Sequence, residues 1–424
     1  MRIHRRHFLQ GTAAAGAAAT LGLPRLGHAV SGSDLKFLFV FNNGGWDPTR
    51  VFATEFDNRN VDMEFGAERA TAGGISYVAH SARPSVSAFM DAHHSDLLVV
   101  NGVQVRSIAH EICTMIALTA DTSGFKPDMA TLIAAQQGAD FTLPHLVLDG
   151  PSFPGELGTA VARTGAQGQL EALLSGDILG WTDNAQPELP RPYEGTIDGY
   201  LARRAAARAV LGRSTGDKAL SAAYADAFSK ATGLKDYRYV MDFTTNGGLA
   251  SQAEVAVDAL STGLSRCVSM GYPGFSGGGL GWDSHADNDD TQSALFEGLF
   301  AGLGQLMELL HSTPGSSATT LAEETIVVVQ SEMGRTPQLN ATNGKDHWPY
   351  TSVMMLGPGL TTDRVVGEYD DSYIGELVDL DTAETNGSGR TLSAESLGAA
   401  LLALADIDPA EHIAGADPLL GILS

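Results

Sequence analysis

Cysteine is scarce here: the chain of 424 residues holds two, Cys113 and Cys267. That excludes a framework of several disulfides and leaves one bridge at most. Each cysteine sits in an apolar context, Glu-Ile-Cys-Thr-Met-Ile and Arg-Cys-Val-Ser-Met, so one disulfide and two buried free thiols are both open readings. Basic residues are also few. Lys and Arg number 26 against 50 Asp and Glu, a formal net charge of −24. Such a surface repels nucleic acid and anionic lipid, which excludes those partners. No apolar run reaches the about 20 residues that cross a bilayer, so no stable membrane span is expected. No internal repeat is visible.

What is present begins at the N-terminus. His4-Arg5-Arg6-His7-Phe8-Leu9-Gln10 carries two adjacent arginines, followed by an Ala- and Gly-rich run from Gly11 to Leu23 and a small-residue end at Gly27-His28-Ala29. A charged start, a short apolar middle and a small-residue end form a cleavable secretory signal, and the arginine pair marks the twin-arginine version. The expected address is periplasmic or extracellular, with the twin-arginine translocase as a partner during export. Residues 1–29 are therefore set aside, and 30–424 carry the fold. The hydrophobic content of 43% is ample for a core.

Short apolar runs alternate with helical patterns in the first part of this region. Leu35 to Phe41, Asp96 to Asn101 and Pro144 to Asp149 read as strands, and Pro84 to His94, His110 to Leu118 and Met129 to Gln137 as helices. Strand signals return at Thr325 to Gln330 and Ser352 to Leu356, after a long helical pattern from Thr291 to Leu310, and a last helix covers Ser393 to Ala405. This alternation predicts an α/β fold, a mostly parallel sheet with helices on both faces. A helical insertion is expected over about 165–265, with a loop-like, proline-containing stretch from Leu179 to Ile197. Gly367 to Arg390 reads as an exposed loop or edge hairpin.

In such sheets sites form beyond the carboxyl ends of the strands. Asp47 follows the first strand, and Ser331-Glu332-Met333-Gly334-Arg335-Thr336-Pro337 follows the 325–330 strand. Asn343-Gly344-Lys345-Asp346-His347-Trp348 precedes the 352–356 strand, and Gly281-Trp282-Asp283-Ser284-His285 precedes the long helix. These are carboxylates and histidines in glycine-containing loops. Mixed Asp, Glu and His donors suit zinc, manganese or iron, while carboxylates alone suit magnesium or calcium. Read singly, Asp47 is as well explained as a helix cap, His285 as a donor to a backbone carbonyl and Asp346 as a turn cap.

Gly-Trp-Asp-Ser-His, then Ser-Glu-Met-Gly-Arg-Thr-Pro, then Gly-Lys-Asp-His-Trp, in this order, resembles the domain of unknown function 1501 family. That family is similar to the alkaline phosphatase and sulfatase superfamily, so the resemblance implies an alkaline phosphatase-like three-layer sandwich. It also implies two metal positions. Asp47 matches the carboxylate of one, with Glu332 and Met333 standing where an Asp-His pair is usual. Asp283, His285 and His347 match the other. The superfamily's nucleophile opens a helix, and counting back from Thr119-Ala120 places His110 there, with no hydroxyl or thiol at that position. His110 is then a metal ligand, an anion contact, a general acid or a nucleophile, and Arg335 is a candidate to neutralise an oxyanion, with an ordinary salt bridge as its other reading.

The resulting expectation is an exported hydrolase of phosphate or sulfate esters that uses a divalent metal (zinc, manganese, magnesium or calcium) and takes a small-molecule or polymeric anionic ester. The alternative is a non-catalytic exported binding protein on a degenerate phosphatase-like scaffold.

Overall fold

The computed structural model describes residues 30–165, 170, 191–212, 214–237, 240–273 and 281–424. The export segment, most of the proline-containing stretch and the glycines just before Gly281 lie outside the described residues.

The central sheet has eight strands: β1 (Lys36–Asn42), β2 (Leu97–Gln104), β3 (His145–Val147), β4 (Val161–Arg163), β5 (Cys267–Gly271), β6 (Thr325–Ser331), β7 (Tyr350–Leu356) and β8 (Arg364–Val366). Their spatial order is β8-β2-β7-β6-β1-β5-β3-β4. β1 pairs in parallel with β5 and β6, so that Val40 lies opposite Met270 and Val329. β7 runs antiparallel to both of its neighbours, and the other pairings are parallel. The described helices are α1 (Pro84–His93), α2 (His110–Thr119), α3 (Met129–Gln136), α4 (Arg191–Leu211), α5 (Thr215–Tyr237), α6 (Leu249–Ser261), α7 (Asn288–Ser312) and α8 (Ala394–Leu404).

The sequence of β1, Lys-Phe-Leu-Phe-Val-Phe-Asn, has no solvent face because none is needed: every residue of it is buried. Leu38 and Val40 pack into one core with apolar residues of α1, α6 and α7, while Phe37 and Phe39 pack into a second with those of α3 and α8. A strand covered on both sides loses its polar alternation, which is why it reads as one apolar run. The expected mostly parallel sheet with helices on both faces is thus the architecture found.

Several details differ from the sequence reading. α6 packs under the sheet as part of the first core, while α4 and α5 lie along each other. Helix α4 covers Arg191–Leu211, so the described end of the stretch expected to be loop-like is helical. β5 is a strand that no long apolar run in the sequence marks. Both cysteines are free and buried, and they sit in separate clusters. Within 367–390 the regular structure is a two-residue pairing of Leu377–Val378 with Arg390–Thr391.

Because β1, β2, β5 and β6 run the same way, their carboxyl ends share one edge with the start of antiparallel β7. The loops at that edge touch closely. Gly44 has φ +122, and a Cβ there would meet the backbone of Trp282 and Asp283. A side chain on Gly344 would collide with the carbonyl of His285. Glycine at these two positions lets the loop after β1 and the Asp283 and His347 loops converge.

Candidate metal centre

His110 is the first residue of α2, presented by the loop that leaves β2. Its Nδ1 lies 2.7 Å from Oε1 of Glu332, the residue directly after β6. Glu332 is fully buried, and the same oxygen accepts the Gly44 N–H at 2.8 Å while Oε2 accepts from the Ser331 hydroxyl at 3.0 Å. With an acceptor fixed on Nδ1, the proton of a neutral His110 sits there and Nε2 is a bare lone pair. That Nε2 is buried and has no hydrogen-bond partner. Burial works against the protonated ring, but Glu332 and Asp283 outweigh it and raise the His110 pKa.

Asp283 faces that bare nitrogen, with Oδ2 3.5 Å from His110 Nε2. Its other oxygen lies 3.2 Å from His347 Nε2 and 3.1 Å from His285 Nε2. Burial raises the Asp283 pKa, but Arg335 and the neighbouring histidines lower it further, so the carboxylate stays ionised at neutral pH. The other two histidines repeat the arrangement of His110. His347 Nδ1 lies 2.7 Å from the Ile108 carbonyl oxygen, and His285 Nδ1 lies 2.9 Å from Asp346 Oδ1. Three imidazoles therefore each have an oxygen acceptor on Nδ1 and turn Nε2 toward one carboxylate.

In neutral rings so held, those Nε2 lone pairs meet an anion, and the Nε2 atoms of His285 and His347 are only 3.0 Å apart. Arg335 already supplies one positive charge to the Asp283 carboxylate, at 2.7 Å from Oδ1, and a cation among the Nε2 atoms would relieve the remaining crowding of lone pairs. His110, Asp283 and His347 each offer a ligand atom, all within 4.8 Å of one another, with His285 alongside at the half-exposed rim. The donor set fits a divalent cation: imidazole nitrogens with one carboxylate, each ring oriented by an outer acceptor.

The other sequence candidates are placed differently. Asp47 is fully buried, but its carboxylate is occupied by protein donors. Oδ1 accepts from the Thr49 N–H and hydroxyl at 3.1 and 2.6 Å, and Oδ2 accepts from Asn288 Nδ2 and Lys345 Nζ, each at 2.9 Å. The cap reading is the one realised, since Asp47 opens the short 3-10 turn Pro48–Arg50. Burial alone would raise its pKa, but Lys345 and Arg50 pull it well below the usual carboxylate range. Glu332, expected as a ligand, instead spends its oxygens on His110, Gly44 and Ser331.

Arg335, expected as an oxyanion contact, is fully buried. Its Nε donates to the Gly45 carbonyl at 2.8 Å, Nη1 to that of Lys345 at 3.1 Å, and Nη2 to Asp283 at 2.7 Å as well as to the carbonyls of Gly44 and Trp282. The guanidinium thus ties three loops and one carboxylate together, which is the salt-bridge reading with backbone contacts added. Lys345, which pairs with Asp47, and Asp346, which orients His285, both lie inside the Gly-Lys-Asp-His motif, but nothing in the motif itself signals either contact. Cys113 packs with Val105, Ile116, Met333 and Ala394, and burial pushes its thiol up to about 11, so it is no nucleophile at neutral pH.

Comparison with known proteins agrees with the motifs. Residues 256–415 match the family described as "Protein of unknown function (DUF1501)", a span that includes all three motifs. Residues 2–22 match the twin-arginine translocation pathway signal sequence, so the chain carries a signal for export across the membrane. Among the described residues, no helix is long and apolar enough to cross a membrane. No curated protein sequence matches the chain. Solved structures similar to it include the lipoteichoic acid synthase LtaP from Listeria monocytogenes, at 9% identity and TM-score 0.42, covering 93% of this chain and 76% of that one. A phosphonate monoester hydrolase from Silicibacter pomeroyi matches at 10% identity and TM-score 0.39, covering 92% and 77%. A protein in the alkaline phosphatase superfamily from Vibrio parahaemolyticus matches at 10% identity and TM-score 0.37, covering 92% and 70%.

Proposed function

We propose that the protein is an exported, metal-dependent hydrolase of phosphate or sulfate esters, acting in the periplasm or outside the cell. The observation that carries this reading is the buried, unpartnered Nε2 of His110, facing the carboxylate of Asp283 beside His347. His110, Asp283 and His347 hold the cation, and His285 completes the set from the rim. Imidazole nitrogens outnumber carboxylates here, so zinc, manganese or iron fits better than the oxygen-seeking magnesium or calcium. When bound, such a cation polarises an ester oxygen and lowers the pKa of a coordinated water.

The chain's own residues supply orientation. Glu332 and the Ile108 carbonyl fix two of the rings, and Arg335 holds Asp283. The first turn of α2 lies at the site, and its N-cap residue, Ala109, makes no side-chain cap hydrogen bond. A helix start left open beside a cationic centre favours an anionic group such as a phosphate or sulfate. A small-molecule or polymeric anionic ester is the substrate class that follows. With Cys113 packed away and no hydroxyl at the first position of α2, water is the attacking group.

The lack of a hydroxyl or thiol at the first position of α2 is also what supports the second reading, a metal-bearing binding protein without turnover. Purified mature protein assayed for bound metal and for cleavage of p-nitrophenyl phosphate and p-nitrophenyl sulfate separates the two. Bound metal with turnover, both lost in Asp283→Ala, is the expected result. Bound metal without turnover of any phosphate or sulfate ester supports the binder, and an absence of divalent metal overturns both.

A further inference from the structure

The resemblance to the phosphatase-like superfamily implies two cation positions, and the residues at one of them do not fit a metal. The Asp47 carboxylate accepts four donors, from the Thr49 backbone, the Thr49 hydroxyl, Asn288 and Lys345, which exhausts its lone-pair sites. Arg50 adds a second positive charge, with Nη2 3.6 Å from Oδ2. Lys345 Nζ also donates to the Thr49 hydroxyl at 3.0 Å, and the side chains of both Asp47 and Lys345 are wholly buried. Glu332, the neighbouring carboxylate, is turned to His110 and Gly44, and Met333, which stands where a histidine ligand is usual, is buried in an apolar cluster.

From this arrangement we infer that the ammonium of Lys345 is the resident cation of the Asp47 position, and that the protein binds a single metal ion, at His110, Asp283 and His347. The inference rests on the reading of those three residues as a metal centre. It narrows the chemistry, because a two-metal clamp on the attacking and leaving oxygens is not available to a site with one metal. Lys345 also pins the loops that build the remaining centre. Its backbone N–H donates to the Ser284 carbonyl at 3.0 Å, and its carbonyl accepts from Arg335. Asn288 bridges the Ser284 hydroxyl, at 2.7 Å, to Asp47. One buried ion pair thus joins the loop after β1, the Asp283 loop and the His347 loop.

Metal stoichiometry tests the inference independently of activity. The mature protein is loaded with excess zinc or manganese, desalted, and its metal counted by native mass spectrometry and elemental analysis. One ion per chain is expected, retained in Asp47→Asn and lost in Asp283→Ala. Asp47→Asn leaves Lys345 buried without its partner, so the double variant Asp47→Asn/Lys345→Met, which removes both charges together, is measured beside it and also keeps one ion. Two ions in the wild type, or loss of the ion in the double variant while it stays folded, overturns the inference and leaves a metal centre standing. No ion at all overturns the metal centre and the inference together.

Discussion

Replacing Glu332 with glutamine removes one negative charge from behind His110 while keeping the shape of the side chain. In the wild type Oε1 accepts from His110 at 2.7 Å and from Gly44 at 2.8 Å, and Oε2 meets the Ser331 hydroxyl at 3.0 Å. A glutamine carbonyl still accepts the first two, and its amide donates to the Ser331 oxygen. The fold is therefore retained, and the loss falls on the basicity and orientation of His110. Outer carboxylates of this kind set metal affinity by roughly 10- to 100-fold, about 1.4–2.7 kcal/mol. Competition against a chromophoric chelator measures the change. The glutamine variant binds zinc 10- to 100-fold more weakly with an unchanged urea midpoint, whereas Glu332→Ala also loses stability, because His110 Nδ1 and the Gly44 N–H are left buried without an acceptor. Wild-type affinity in Glu332→Gln would refute the reasoning, since His110 then does not depend on its carboxylate.

Lys345→Met leaves the wholly buried Asp47 without its main counter-charge and lowers stability by about 3–5 kcal/mol in urea unfolding. Adding Asp47→Asn to it recovers a large part of that loss, and no recovery would mean the two do not act as a pair. His285, at the rim, contributes less than Asp283, which contacts every ring: His285→Ala weakens metal binding at least tenfold less than Asp283→Ala by the same chelator competition. Burial pushes the thiols of Cys113 and Cys267 up to about 11 and about 12. At pH 8 roughly one Cys113 thiol in a thousand is then ionised, so native protein does not react with a thiol-specific chromogenic reagent, and two thiols per chain react after denaturation. Rapid labelling of the native protein contradicts this.

The parts of the fold that a sequence shows well are those where burial is unconditional. β1 and β6 announce themselves because both faces of each are covered, and α7 because its apolar residues line one core. β5 is hard to see, since Cys-Val-Ser-Met-Gly is short and its Ser269 is matched by a histidine on the neighbouring strand, with His145 Nε2 2.8 Å away. β4 and β8 are three-residue edges fixed by pairing alone. In the site, Asp283, His285 and His347 are legible as residue types in motif loops, and His110 as the opening of a helix. The roles of Glu332, Arg335 and Asp47 are not, because they depend on which donors their buried atoms meet. A carboxylate facing a backbone N–H and one facing a metal look alike in sequence. Lys345 is harder still. A lysine in a glycine-containing loop reads as solvated, and it becomes a buried cation only because Asp47, from the other end of the chain, lies against it.

The most direct test is an anomalous-scattering map from crystals of the mature protein grown with zinc or manganese. The account predicts one peak per chain, about 2.0–2.3 Å from His110 Nε2, His347 Nε2 and an oxygen of Asp283. A map with no peak at those three atoms, or with its peak on Asp47 in place of Lys345, contradicts it.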